Sequence, residues 1–106
     1  HSLLTAREEF PLLTSMICQL HENPKPYHFS NECDMLNRIV LGKTAKQFRL
    51  ENSIAKGQSI RPYLNQQQIS ALEVLQHLDF GLLYSGIDFQ TRKQLLTNYY
   101  KTNLEG

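Results

Sequence analysis

The sequence predicts an all-α fold, a compact bundle of about five helices. Apolar residues recur at spacings of three and four in every segment with a clear pattern, and strand-like alternation is confined to residues 59–63. Residues that favour helix caps stand where these segments begin and end. The chain has 106 residues, of which 41% are hydrophobic and 20% charged, so one helical domain over residues 1–106 is expected. The opening His1-Ser2 without an initiator methionine predicts a fragment of a larger protein.

The first helical segment extends from about Leu3 to His21. Its apolar stripe is formed by Phe10, Leu13, Ile17 and Leu20. Pro11 cannot occupy a helix interior, so we expect either a break near Phe10 or a helix that begins with Pro11 in its first turn. The prolines within Glu22–Pro26 predict a loop after this segment.

The next two helices are predicted to meet at a glycine, which makes a helix-Gly-helix corner over residues 31–51. Ser30 is expected to cap the first helix and Gly42 to end it. Thr44 with Gln47 three residues later has the form of a capping box for the second helix. Residues 53–63 are predicted to form a loop that includes a short extended piece.

The last two helices are predicted to form a hairpin over residues 66–102. Asn65 and Gln68 form a second capping box, and the stripe that follows contains Ile69, Leu72, Leu75, Leu78 and Leu82. Asp88 is expected to cap the final helix after a turn at Ser85-Gly86-Ile87. Residues 101–106 are expected to fray.

Composition and motifs exclude several classes of function. The net charge of +1, from 11 basic and 10 acidic residues, does not indicate a general nucleic-acid surface. A phosphate-binding glycine loop and a paired base and nucleophile are both absent from the sequence, so neither an enzyme nor a cofactor is expected. The sequence also has no apolar run of the length that spans a bilayer. Two cysteines without a secretory signal favour a reducing, cytoplasmic setting.

Four residues have a spacing that is compatible with a zinc site: Cys18, His21, His28 and Cys33. Cys-x2-His followed by His-x4-Cys supplies the sulfur and nitrogen ligands of tetrahedral zinc. The alternative is that both cysteines are small buried apolar residues and both histidines face solvent beside a loop. A zinc-stabilised domain is therefore an alternative and not the main expectation.

The helix after Gly42 has basic residues that suggest two kinds of partner. Lys43, Lys46 and Arg49 would suit the reading helix of a DNA-binding helix-turn-helix. Arg38 counts against it, because a close helix crossing favours a small residue there. The same cations, together with Arg61 and Tyr63, are predicted to form a contact surface for a protein partner, although a solvated basic face is also compatible with this pattern.

Aromatic residues on the last helix predict a dimer face. Tyr99 and Tyr100 are adjacent, so they point in different directions from the helix. Tyrosine is common in protein interfaces, so self-association is expected. Packing of both rings within one domain is the alternative.

Three runs of sequence support a family resemblance: residues 28–49, 59–76 and 86–96. Together they resemble a helical domain found toward the C-terminal side of bacteriophage and prophage regulators of the antirepressor type. The resemblance covers roughly residues 28–100. It implies a non-catalytic, cytoplasmic protein-interaction or oligomerisation domain of a transcriptional regulator. Its partner would be a repressor or a second copy, and nucleic acid would be reached through the full-length protein.

Overall fold

The computed structural model describes residues 9–105 except residues 22 and 24. This part of the chain is all-α and contains no β-strand, which confirms the predicted fold class. Predictions for residues 3–8, Glu22 and Pro24 lie outside the described residues. Five α-helices lie entirely within the described residues: α1 (Pro11–Leu20), α2 (Pro26–Leu41), α3 (Ala45–Glu51), α4 (Gln66–Tyr84) and α5 (Phe89–Tyr99).

Helix α1 begins at its proline, as one of the two predicted arrangements required. Pro11 occupies the first turn, where its missing N–H is not needed. No side chain of α1 caps the helix itself. Instead, the Gln76 side chain of α4 accepts hydrogen bonds from the backbone N–H groups of Leu12 (2.9 Å) and Leu13 (3.4 Å). A distant side chain therefore caps this helix and ties it to α4.

Helix α2 begins at Pro26, so the prediction that Ser30 caps a helix starting at residue 31 is wrong. The Ser30 hydroxyl donates to the Pro26 carbonyl one turn earlier, inside the helix. The corner therefore occupies residues 26–51. The second proline of the expected loop favours helix initiation here, because its fixed φ suits the first helical position.

The glycine corner is otherwise as predicted. Gly42 ends α2 with a φ of 77°, in the left-handed region that favours glycine. Its N–H donates to the backbone carbonyl of Arg38 at 2.9 Å. The Gln47 N–H donates to the Thr44 hydroxyl and the Thr44 N–H to the Gln47 side chain, both at 3.2 Å. This reciprocal pair is the predicted capping box of α3.

Residues 52–64 form a loop that is anchored to the core. It contains a 3₁₀ turn at Arg61–Tyr63 in place of the expected extended piece. Ile54 and Ile60 are buried, and the Glu9 carboxylate accepts hydrogen bonds from the Ser59 hydroxyl and the Ile60 N–H. The loop is thus held by both apolar and polar contacts.

Helices α4 and α5 form the predicted hairpin. Asn65 and Gln68 make the second capping box, with bonds of 2.8 and 3.0 Å. Gly86 has a φ of 79° in the connecting turn. After α5 the chain continues as a π-helical turn, Tyr100–Leu104, so the predicted fraying of residues 101–104 is wrong. Leu104 packs against the core, which explains why this last turn is ordered.

Helix α4 is the central element of the bundle, because it contacts α1, α2 and α5. Leu72 and Leu75 of α4 are fully buried, as are Leu13 of α1 and Leu36 of α2. Within the described residues, every helix is too short or too polar to cross a lipid bilayer.

Candidate functional site

Three charged side chains from three helices meet in the interior. Arg92 of α5 donates through Nε to Asp79 of α4 at 3.0 Å and through Nη2 to Glu32 of α2. Its Nη1 donates to the Ile87 carbonyl at 2.6 Å. The side chains of these three charged residues are at most 8% exposed. The buried cluster of Glu32, Asp79 and Arg92, called the ionic cluster below, joins α2, α4 and α5.

The ionic cluster has two carboxyl groups for one guanidinium. One oxygen of each carboxyl, Oε2 of Glu32 and Oδ2 of Asp79, is buried without a donor among the described residues. Burial, followed by the hydrogen bond and charge of Asp79, raises the pKa of Glu32 from 4.5 to about 8, although Arg92 opposes the shift. At neutral pH Glu32 therefore keeps its proton.

A cleft of about 260 Å³ leads from solvent to this cluster. Leu20, His21 and Asn31 are exposed at its rim, whereas Glu32 and Arg92 are buried at its floor. The remaining lining residues are mostly apolar: Ile17, His28, Leu83 and Phe89. Perturbed titration in a cleft marks candidate functional sites, so this cleft is a candidate small-ligand site.

Two histidines stack at the mouth of the cleft. The rings of His21 and His28 have centroids 3.9 Å apart and an interplanar angle of 14°. His28 Nδ1 accepts the Lys25 N–H at 3.0 Å, so this ring caps the start of α2. Partial burial, then the neighbouring His21 and Lys25, lower the pKa of His28. The ring is therefore held neutral, because protonation of Nδ1 would remove the cap.

The structure does not assemble the four predicted zinc ligands. Cys18 is exposed on α1, whereas Cys33 is buried in α2, and burial raises the pKa of the Cys33 thiol so that it stays protonated. His28 already uses Nδ1 as an acceptor, which places the proton of its neutral ring on the other nitrogen. Across residues 9–105 without 22 and 24, no three His, Cys, Asp or Glu residues are arranged to hold a metal ion.

The predicted basic contact surface divides into exposed and internal residues. Lys46 and Tyr63 are exposed, and Lys43 pairs with Glu51 at 2.5 Å on the surface. Arg49 is buried, and its Nε donates to the Gln58 carbonyl at 2.8 Å.

Arg61 is also used within the domain. Its guanidinium donates to the Glu9 carbonyl and lies 5.2 Å from the centre of the Phe10 ring. Arg49 and Arg61 therefore fasten the 52–64 loop to the domain, because Nε of Arg49 and Nη2 of Arg61 each donate to a backbone carbonyl.

The structure removes one objection to the helix-turn-helix alternative and adds another. Arg38 is exposed, so it does not obstruct the helix crossing as the sequence suggested. However, Arg49, one of the three predicted DNA contacts, is buried and bonded inside the domain. The outer face of α3 thus has Lys46 as its exposed cation, beside the exposed apolar side chain of Leu50.

Helices α4 and α5 both carry exposed apolar side chains. Val74 and Leu78 are one turn apart on α4, and Leu95 and Tyr99 are one turn apart on α5; each is 36–47% exposed. Tyr100, by contrast, is partly buried and packs against the core. The two tyrosines predicted to form a dimer face therefore differ, and Tyr99 is the one that faces outward.

Contacts along the hairpin indicate that Leu78 lies opposite Leu95 and that Val74 lies opposite Tyr99. Asp79 bonds Arg92 across the hairpin, and Ala71 lines a shallow cavity together with Tyr100, so the helices run antiparallel about Gly86. Leu78 lies eight residues before Gly86 and Leu95 nine after it, whereas Val74 and Tyr99 lie twelve before and thirteen after. The surface formed by Val74, Leu78, Leu95 and Tyr99 is called the hairpin face below.

The sequence contained one signal for the ionic cluster that the motif analysis missed. Glu32, Asp79 and Arg92 all fall within the apolar stripes of their helices. Arg92 lies between Phe89 and Leu96 at helical spacing, and Asp79 follows Leu75 by one turn. A charged residue at a core position requires a buried partner, so such residues predict a buried ionic site.

Comparisons with known proteins do not identify the chain. Neither a protein-family model, nor a curated protein, nor a solved structure matches it.

Proposed function

We propose that this chain is a non-catalytic protein-interaction domain that self-associates through the hairpin face. The observation that supports this most is that two adjacent helices each leave two large side chains, one turn apart, at least 36% exposed. Contiguous exposed apolar residues are characteristic of protein contact sites, and tyrosine is enriched in them.

A second copy is the simplest partner for this surface. In a two-fold symmetric dimer each hairpin face meets the same face of the other copy, so α4 and α5 of both chains pack as four helices. The apolar residues on both helices then bury one another. Tyr99 places an amphipathic ring at the edge of that contact, where its hydroxyl stays in water.

The resemblance to antirepressor-type phage regulators supplies a biological context. In such a regulator the domain would join two copies, or hold a repressor, in the cytoplasm while another module supplies the remaining activity. This context depends on the resemblance in sequence alone. Lys46 on α3 and Tyr63 in the 52–64 loop, which are both exposed, remain candidates for a second contact.

Sedimentation analysis of the wild-type chain and two variants tests the proposal. We expect the wild type to form dimers as its concentration rises. Leu78→Glu combined with Leu95→Glu should shift the chain to monomer, because charges would be buried in the contact. Leu50→Glu is the matched control, since Leu50 is a 75% exposed leucine on α3, and this variant should dimerise like the wild type.

Two results would contradict the proposal. A wild type that stays monomeric at high concentration would exclude self-association. Dimerisation that persists in the Leu78→Glu, Leu95→Glu variant but is lost in Leu50→Glu would place the contact at α3 instead. Circular dichroism of each variant verifies that its helices are retained.

A further inference from the structure

Within the described residues, three helices begin with the same hydrogen bond, and in one of them the acceptor can titrate. In α3 and α4 the third helical residue is a glutamine. The side chains of Gln47 and Gln68 accept the backbone N–H of the residue before the helix. In α2 the third helical residue is His28, whose Nδ1 accepts the Lys25 N–H at 3.0 Å. Glutamine keeps its acceptor at every pH, whereas a histidine nitrogen loses its acceptor when it is protonated.

The position of the His28 ring adds to the effect of a proton on this bond. The ring stacks on His21, the residue that follows α1, with centroids 3.9 Å apart, and Tyr27 makes an edge contact with it at 4.4 Å. His28 lies in the first turn of α2, where the helix dipole disfavours a positive charge. A protonated His28 would therefore lose its bond to Lys25 and place a cation against the helix end and the second imidazole.

Charged and titratable groups surround the His28 ring on several elements. His21 faces the ring from the end of α1, and Lys25 precedes the ring at the start of α2. The floor of the adjoining cleft holds Glu32 of α2 and Arg92 of α5, which are bonded to each other, and α4 lines the cleft with an apolar side chain. The two groups next to the ring, His21 and Lys25, both oppose a positive charge on it.

We propose that the stacked pair of His21 and His28 is a pH-sensitive latch between α1 and α2, closed while Nδ1 of His28 is an acceptor and opened by its protonation. In the closed latch the stack holds the end of α1 against the start of α2. Protonation converts Nδ1 from an acceptor to a donor, so the Lys25 N–H is released. Repulsion then separates the rings, and the mouth of the cleft of about 260 Å³, which both rings line, widens.

The pH at which the latch opens follows from the surroundings of His28. Partial burial, followed by His21 and Lys25, lowers the pKa of His28 below its ordinary value of 6.5. The folded chain therefore binds this proton less readily than the unfolded chain does. The contribution of His28 to stability is then complete above pH 6.5 and is lost as the pH falls through the lowered pKa. The latch is closed at neutral pH and opens in mildly acidic solution.

Nitrogen-15 NMR of the labelled chain between pH 7.5 and pH 5 tests the latch. Nδ1 of His28 should be unprotonated at pH 7.5 and should take up a proton with a midpoint below 6.5. At the same midpoint the Lys25 amide resonance should shift, and the NOE between the His21 and His28 rings should disappear. Exchange of the Lys25 amide, relative to its intrinsic rate, should rise roughly fivefold, which corresponds to one net hydrogen bond.

Two variants separate the proton on His28 from other titrations. His28→Gln gives α2 the acceptor that α3 and α4 already use, so it should fold as wild type does, and its Lys25 amide should not shift between pH 7.5 and pH 5. His77→Gln is the matched control, because His77 is exposed on α4 and its Nδ1 donates to the Glu73 carbonyl at 2.8 Å. Protonation leaves that bond intact, so this variant should keep the wild-type shift of Lys25.

Four results would overturn the proposal. Two concern the wild type: a Lys25 amide that does not shift through the midpoint of His28, and a ring-to-ring NOE that persists below that midpoint. The third is a Lys25 shift in His28→Gln that equals the wild-type shift. The fourth is a proton on Nδ1 of His28 at pH 7.5, which would exclude the cap itself.

Discussion

Replacing Glu32 with glutamine should make the domain more stable at neutral pH. In the folded chain Glu32 is buried and protonated, with a pKa raised from 4.5 to about 8, chiefly by burial and then by Asp79. Glutamine has the shape of the protonated side chain and never ionises. Its carbonyl can accept from Arg92 and its amide can donate to Asp79, so the hydrogen bonds of the cluster are retained.

The size of the effect follows from proton linkage. Between pH 4.5 and about 8 the folded chain binds a proton at Glu32 that the unfolded chain has released, so stability falls as the pH rises. One pKa unit corresponds to ~1.4 kcal/mol. In the wild type, Glu32 therefore lowers the free energy of unfolding by up to ~3 kcal/mol at pH 7 relative to its value below the unfolded pKa of 4.5.

Urea unfolding followed by circular dichroism from pH 5 to pH 8 measures this difference. The stability gain of Glu32→Gln over wild type should grow steadily with pH, and the contributions of the four histidines cancel because both chains contain them. Glu73→Gln removes an exposed carboxyl from α4 and should show no such growth. A gain that is constant with pH, or a Glu32→Gln chain less stable than wild type at pH 7, would refute the raised pKa of Glu32.

Four further substitutions test other parts of the fold by thermal or urea unfolding. Gly42→Ala should lower the free energy of unfolding by about 1 kcal/mol or more, because φ at this position is 77°. Gly81→Ala, inside α4 with nothing within 4 Å, should raise it by up to about 1 kcal/mol. Equal effects of the two substitutions would contradict the assigned backbone. Gln76→Ala should cost about 1–3 kcal/mol and speed amide exchange at the start of α1, and unchanged exchange there would exclude the tertiary cap. Arg92→Met should lower the free energy of unfolding by about 3–5 kcal/mol, because buried Asp79 loses its partner. A decrease below about 1 kcal/mol would mean that the ionic cluster is solvated.

Local structure could be predicted where a few neighbouring residues determine it. The Thr44–Gln47 and Asn65–Gln68 boxes and the left-handed Gly42 each depend on residues within one turn, and all three were predicted correctly. The start of α2 was placed five residues too late because a proline is equally suited to a loop and to a first helical turn.

The site could be predicted only in part, because its geometry depends on distant residues. Glu32 and Arg92 are separated by 60 positions, and no local pattern specifies that their side chains meet. Arg49 has the spacing of a surface cation on a short helix. In the structure it is covered by the 52–64 loop, and its Nε donates to the Gln58 carbonyl of that loop. Burial of this kind depends on the path of the loop, which its sequence does not specify.

Contact between two copies of the chain through the hairpin face can be observed in solution. An isotope-filtered NOE spectrum of a mixture of labelled and unlabelled chains detects such a contact. We expect intermolecular contacts among Val74, Leu78, Leu95 and the Tyr99 ring. Intermolecular contacts confined to Leu20 or Leu50, or no such contacts in a concentrated sample, would contradict it.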